Sequence, residues 1–245
     1  MLNINTMSIV ARDPASGAVG AAAATMLPAV GALVPTAVAG VAAVVTQACT
    51  NPLLAVDVVA HIRDGRPAAE ALDRSLAGDP QPEIRQIAVM PATGSPAVHT
   101  GLGTDPWKGH HIGTDYVVAG NLLVDETTIE AMARAFEDAA GATLAERLLA
   151  SLAAGNEAGG DRRGSRSAAL TIATTEPYPY LDLRVDDHDR PVGELLRIYD
   201  LAVEHLLPFV ETLPTRANPA GSFGQHPDAW TLRPIARPAD GIRQG

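Results

Sequence analysis

Aromatic side chains are scarce in this chain, at 4% of 245 residues, so bulky rings cannot fill its interior. Ala, Val and Leu must do so, and side chains that small let packed layers approach closely. Cysteine is reduced to Cys49, which excludes an internal disulfide framework. Positive charge is in deficit. A net charge of −10 argues against nucleic acid as a partner and suits a soluble, cytoplasmic protein. The seven histidines are scattered without HxxxH or HExxH spacing, so no metal site is expected. GxGxxG, P-loop and GxSxG patterns are also missing, and no cofactor is expected.

Charge is missing altogether between Pro14 and Val56. A stretch of that length could span a bilayer, but Pro28 and Pro35 interrupt it, with Gly20, Gly31 and Gly40 between. Strands covered on both faces read as continuous apolar runs. Two buried strands joined by turns therefore explain the stretch better than a membrane helix. Residues 37–43 resemble a signal-cleavage site, yet no basic segment precedes them, so no targeting signal is read.

What is present begins at the first strand. Residues 6–20 read as a strand, an Asp13-Pro14-x-x-Gly17 turn and a second strand of small residues. Thr6 and Ser8 are two positions apart, so their hydroxyls share one face. A hydroxyl at the head of a first strand invites an N-terminal-nucleophile mechanism, in which a free α-amine serves as its base. Further along, strands are predicted over 6–13, 18–25, 38–47, 84–90, 96–100, 116–123, 167–174 and 180–185. Helices are predicted over 52–64, 67–77, 125–140, from Leu144 to Leu152 and over 191–211. Trp107–Gly113, with His110 and His111, reads as a loop. Strand pairs alternating with helix pairs do not fit a doubly wound parallel sheet. They predict an α+β fold, a four-layer αββα sandwich of two mainly antiparallel sheets. The domain is placed at 1–213. The Pro- and Gly-rich remainder, 214–245, is expected to be a loosely ordered or surface-draped tail.

Three segments carry chemistry. Asp161, Arg162 and Arg163 stand in a Gly-flanked loop, together with Arg166, in an otherwise charge-poor chain. Guanidinium forks match carboxylates, so this loop is either a carboxylate-binding rim or a solvated loop with an internal ion pair. Gln47 and Asn51 bracket the passage from an apolar strand to a helix. Either is a candidate amide donor, but Thr50 or Asn51 can instead cap the helix that Pro52 begins, and for Asn51 capping is the favoured reading. Asn121 is a lone amide in an apolar strand, where it must be hydrogen-bonded to be tolerated. It is read either as a structural bond or as an oxyanion donor.

Taken in order, these segments resemble one family. Thr-x-Ser-Ile-Val-Ala-Arg-Asp-Pro-x-x-Gly (6–17), Ala-Val-Gly-x-x-Val-Pro (29–35) and Thr-Gln-Ala-x-x-Asn-Pro (46–52) come first. Trp-x-Gly-His (107–110), Gly-Asn-Leu-Leu (120–123), Gly-Gly-Asp-Arg-Arg-Gly (159–164) and Leu-Arg-Val-Asp-Asp-His (183–188) follow. The set resembles the domain-of-unknown-function 1028 family, grouped with the Ntn hydrolases, over about residues 6–210. The resemblance implies the αββα sandwich and a nucleophile at Thr6, exposed by cleavage after Asn5. Loss of Met7 would expose Ser8 instead. The expected function is hydrolysis of an amide or other non-peptide C–N bond in a small carboxylate-bearing molecule. Thr6, Ser8 and Asn121 would be catalytic, and Gln47, Asn51, Asp161, Arg162 and Arg163 would bind substrate. The alternatives are a non-catalytic small-molecule binding protein and a structural oligomer. Expected partners are the substrate and further copies of the chain, with neither nucleic acid nor membrane.

Overall fold

The computed structural model describes residues 6–223. Residues 1–5, and the part of the expected tail beyond 223, lie outside them. The described residues divide into two units, with the boundary between Ile198 and Tyr199.

Strands β1 (Thr6–Asp13) and β2 (Ala18–Thr25) form the expected hairpin. Its turn is held by Asp13, whose Oδ1 accepts the Ala15 N–H at 3.0 Å, and by Gly17 at φ 73°. The charge-free stretch then forms a 3-10 turn (Val30–Ala32) and a second hairpin, β3 (Pro35–Val38) and β4 (Ala42–Ala48). A single strand over 38–47 was expected there. Gly40, at φ 67°, lies between β3 and β4, and the unbroken apolar run around it masks the turn. Helices α1 (Pro52–Arg63) and α2 (Ala68–Ala77) follow, then β5 (Arg85–Pro91) and β6 (Ala97–Thr100).

Residues Gly109–Gly113 are not a loop but a strand, β7, paired with β8 (Tyr116–Asn121). β7 is an edge strand with its middle residues exposed, so it lacks the alternation that reveals a half-buried strand. His110 bonds Thr100, whereas His111 stacks 5.9 Å from the Tyr116 ring, as adjacent residues on opposite faces should. Helices α3 (Thr127–Asp138) and α4 (Leu144–Glu157) come next. The Thr127 N–H bonds Asp125 and a Thr143/Glu146 capping box starts α4. Strands β9 (Ser167–Ala173) and β10 (Leu181–Val185) complete the sheets. The helix expected over 191–211 runs unbroken from Pro191 to Val210, as α5 (Pro191–Leu201), a π turn (Ala202–Leu206) and α6 (Leu207–Val210). Among the described residues no helix is long and apolar enough to cross a membrane.

The strands make two antiparallel sheets, six-stranded β10-β9-β2-β1-β8-β7 and four-stranded β3-β4-β5-β6. Their facing sides meet in a core of small residues that includes Val10, Ala21, Ala23, Ala43, Val45, Ala88, Val117, Ala119 and Ala169. The outer side of the four-stranded sheet packs Val44, Ile87 and Val89 against Leu54, Val58 and Leu72 of α1 and α2. Helix α4 packs on β1 and β2 and α3 on β7 and β8, covering the other sheet from outside. Close approach there needs Gly155, where an added Cβ would meet the Met132 Cγ at 2.5 Å.

Candidate active site

Because successive strand residues alternate faces, Val10, Ser8 and Thr6 all point into the layer between the sheets. So do Ala23 and Thr25 on β2, Ala119 and Asn121 on β8, and Ala169 and Ser167 on β9. On the facing sheet, Val45 and Gln47 of β4 and Ala88 and Gln86 of β5 share that layer. The layer is therefore apolar along most of its length and polar at one end. Register brings the polar residues together. Asn121 pairs with Thr6, Thr6 with Thr25, and Thr25 with Ser167, a continuous row across four strands. Opposite it, Gln47 pairs with Gln86, and Gln86 with Thr100.

All of these except Thr100 are buried. Buried polar groups are tolerated only when hydrogen-bonded. The Ser8 hydroxyl donates to Gln47 Oε1 at 2.6 Å, and Gln47 Nε2 donates to Gln86 Oε1 at 2.7 Å. Asn121 Nδ2 reaches the same Gln86 oxygen at 3.0 Å. Thr6 Oγ1 lies 3.4 Å from Thr25 Oγ1, a long contact by comparison. Each of these groups is a hydroxyl or a carboxamide, and none titrates near neutral pH. The row offers hydroxyls and amide donors, but none of its own side chains is a general base.

Two strands leave this row through strained backbone. Ala48, just after Gln47, has φ 66°, and Leu122, just after Asn121, has φ 51°. Left-handed geometry in residues other than Gly is uncommon and concentrates where function over-determines the backbone. Both residues line one small recess, with Cys49, Ile84, Gly103, Thr104, Asp105 and Asn121. The recess thus brings a surface loop to the Asn121 side of the row.

The structure sorts the predicted residues. Thr6 and Asn121 stand in the row, and Ser8 and Gln47 meet each other in the same layer between the sheets. Asn51 does neither: its Oδ1 accepts the Leu53 N–H and caps α1, and its Nδ2 donates to Asp79 at 2.9 Å. Asp79 also holds Arg85, at 2.9 Å, so this cluster braces the turn between β4 and α1. Asp161 is buried. Its Oδ2 accepts the Met26 N–H at 3.1 Å, and its Oδ1 the Arg163 N–H at 2.8 Å. The Arg166 N–H bonds Thr25 O, so the loop is anchored beside the strand position that pairs with Thr6. Arg162 and Arg163 are exposed on it, with Arg163 Nε 3.6 Å from Asp161. Gln86 was not singled out from the sequence. The available signal was the same as for Asn121, one amide inside an apolar strand.

The Asp79 cluster carries its own prediction. The Arg85 hydrogen bonds, opposed by burial and assisted by Asn51 and the Gln81 N–H, lower the Asp79 carboxyl from 3.8 to about 2. A carboxyl depressed on folding stabilises the protein above its unfolded pKa and loses that contribution as pH falls through the folded value. Asp79 should contribute about 1–2 kcal/mol at neutral pH, discounted because its partner Arg85 keeps some contact with solvent. Urea melts of Asp79→Asn against the parent chain should differ at pH 7 and converge near pH 2. A constant difference across that range would contradict the assignment.

A family model described as "Family of unknown function (DUF1028)" matches residues 6–195. The chain is also similar to a solved structure, the crystal structure of protein SPO2555 from Silicibacter pomeroyi, assigned to the same family model. The two are 31% identical, with a TM-score of 0.81, over 89% of this chain and 95% of that one. No curated protein matches.

Proposed function

For this chain, which belongs to the DUF1028 family of unknown function, we propose a hydrolase of the N-terminal-nucleophile type, built on a four-layer αββα sandwich. Its substrate is an amide or other non-peptide C–N bond in a small carboxylate-bearing molecule. The observation that supports this most is the buried row of hydroxyls and amides with no base among its side chains. Cleavage before Thr6 supplies the missing base, because it frees an α-amine on the same residue as the hydroxyl. Ser8 is the weaker candidate. Its proton is already directed to Gln47 Oε1, an amide oxygen too weakly basic to take it.

In the proposed reaction Thr6 Oγ1 attacks the substrate carbonyl while its proton passes to the Thr6 amine. The resulting oxyanion is met by a hydrogen of Asn121 Nδ2, on the strand position paired with Thr6. The amine then protonates the departing nitrogen, leaving an ester on Thr6 that water hydrolyses. Arg162 and Arg163, on the loop anchored beside Thr25, hold the substrate carboxylate. A screen of carboxylate-bearing amides, ureas and lactams for amine release tests the reading. Turnover that disappears in Thr6→Ala is expected, and turnover that persists there would contradict it.

Charge-assisted bonds contribute about 1.5–3 kcal/mol, or 10- to 150-fold in affinity. The Arg163 side chain is 40% exposed, so solvent screening favours the low end. Arg163→Lys should raise KM about 5- to 10-fold with little change in kcat, because an ammonium cannot reproduce the fork. An unchanged kcat/KM would remove Arg163 from the site.

The second reading is a non-catalytic binding protein. It draws on the bonding of Ser8, Gln47, Gln86 and Asn121 to one another, as in a purely structural seam. The two readings separate on whether Thr6 can be acylated.

A further inference from the structure

Gln86 lies on β5, across the layer from Thr6, and takes no part in the chemistry above. The two ends of its amide have different company. Nε2 lies 3.0 Å from each of three oxygens, Thr100 Oγ1, Gly109 O and Gly120 O. Oε1 receives Gln47 Nε2 at 2.7 Å and Asn121 Nδ2 at 3.0 Å. Main-chain carbonyls can only accept, so two of the three oxygens fix the nitrogen on their side. Rotating the amide by half a turn would set oxygen against those carbonyls and NH2 against two NH2 groups. The orientation is therefore set by fixed backbone partners rather than by choice among hydroxyl rotors.

That orientation propagates. With an acceptor facing them, Gln47 and Asn121 must each turn their nitrogen toward Gln86. Gln47 then offers its oxygen to Ser8, which donates to it. Asn121, on the strand position paired with Thr6, presents its NH2 group with one hydrogen bound to Gln86 and a second left on the same nitrogen. We propose that Gln86 is a positioning residue. It reads the fixed carbonyls of Gly109 and Gly120 and thereby decides that Asn121 meets the substrate oxygen as a donor. This rests on the proposed roles of Thr6 and Asn121. Without Gln86, Asn121 could turn its oxygen toward the developing negative charge, which repels rather than stabilises it.

The test uses a small β-lactone, an electrophile that acylates a nucleophilic threonine, with adduct formation followed by mass spectrometry. Gln86→Ala should lower the maximal acylation rate about tenfold or more while leaving the lactone's reversible affinity nearly unchanged. In an Asn121→Ala background the same substitution should have little further effect, since Gln86 acts through Asn121. A purely structural role predicts a lower Tm, with acylation at temperatures well below it either unchanged or reduced by the same factor in both backgrounds. Either result overturns the proposal. If Gln86→Ala does not fold, Thr100→Val removes one oxygen from Nε2. It should give a smaller loss, again only when Asn121 is present, and a loss by the same factor in both backgrounds, or no loss in either, would overturn the proposal. Absence of any Thr6 adduct in the parent chain is a distinct outcome. It overturns the nucleophile assignment itself, and this inference with it, before any Gln86 variant is made.

Discussion

Thr6→Ala is expected to eliminate turnover and β-lactone acylation, a fall of about 10⁴-fold or more, as removal of a covalent nucleophile does elsewhere. The fold should survive the change. Among the described residues the Thr6 hydroxyl makes one long contact, 3.4 Å to Thr25 Oγ1, so its loss should cost only about 1 kcal/mol. Activity and stability are thereby separated at one position. Thr6→Ser keeps a hydroxyl on the same face and should retain measurable acylation, whereas Ser8→Ala should retain the Thr6 adduct. If Ser8→Ala abolished acylation while Thr6→Ala kept it, the order of the two hydroxyls would be reversed.

Asn121→Ala should have the next largest effect. Removing one preorganised donor to an oxyanion lowers kcat by about 10²–10³ and leaves ground-state binding largely intact. Asn51→Ala is the informative contrast. Asn51 caps α1 and bonds Asp79, so its loss should cost about 1 kcal/mol or more of stability while leaving kcat in place. Comparable rate losses at Asn51 and Asn121 would mean that the row is not the site. Asn51 precedes Pro52, so its place at a helix start is legible locally, whereas only the pairing of strands places Asn121 beside Thr6.

The same division runs through the rest of the chain. The hairpin around Asp13, Pro14 and Gly17 was legible because its turn chemistry is local. The two-sheet arrangement followed from the order of strand pairs and helix pairs. What stayed hidden depends on partners distant in sequence. The β3–β4 turn is marked only by Gly40 in a run of small apolar residues, and β7 lies at a sheet edge where burial does not alternate. Gln86 sits in a strand read correctly, yet its importance arises from Gly109, Gly120, Gln47 and Asn121 converging on it. Sequence periodicity states which face a residue occupies. It does not state what the facing sheet brings opposite.

The central claim is that Thr6 becomes a nucleophile whose own amine is its base. The most direct measurement is the intact mass of the purified chain before and after the β-lactone, with the adduct located by fragmentation. The account predicts a chain that begins at Thr6 and gains one acyl group on that residue. A chain that retains the residues before Thr6, and gains no acyl group there, would contradict it.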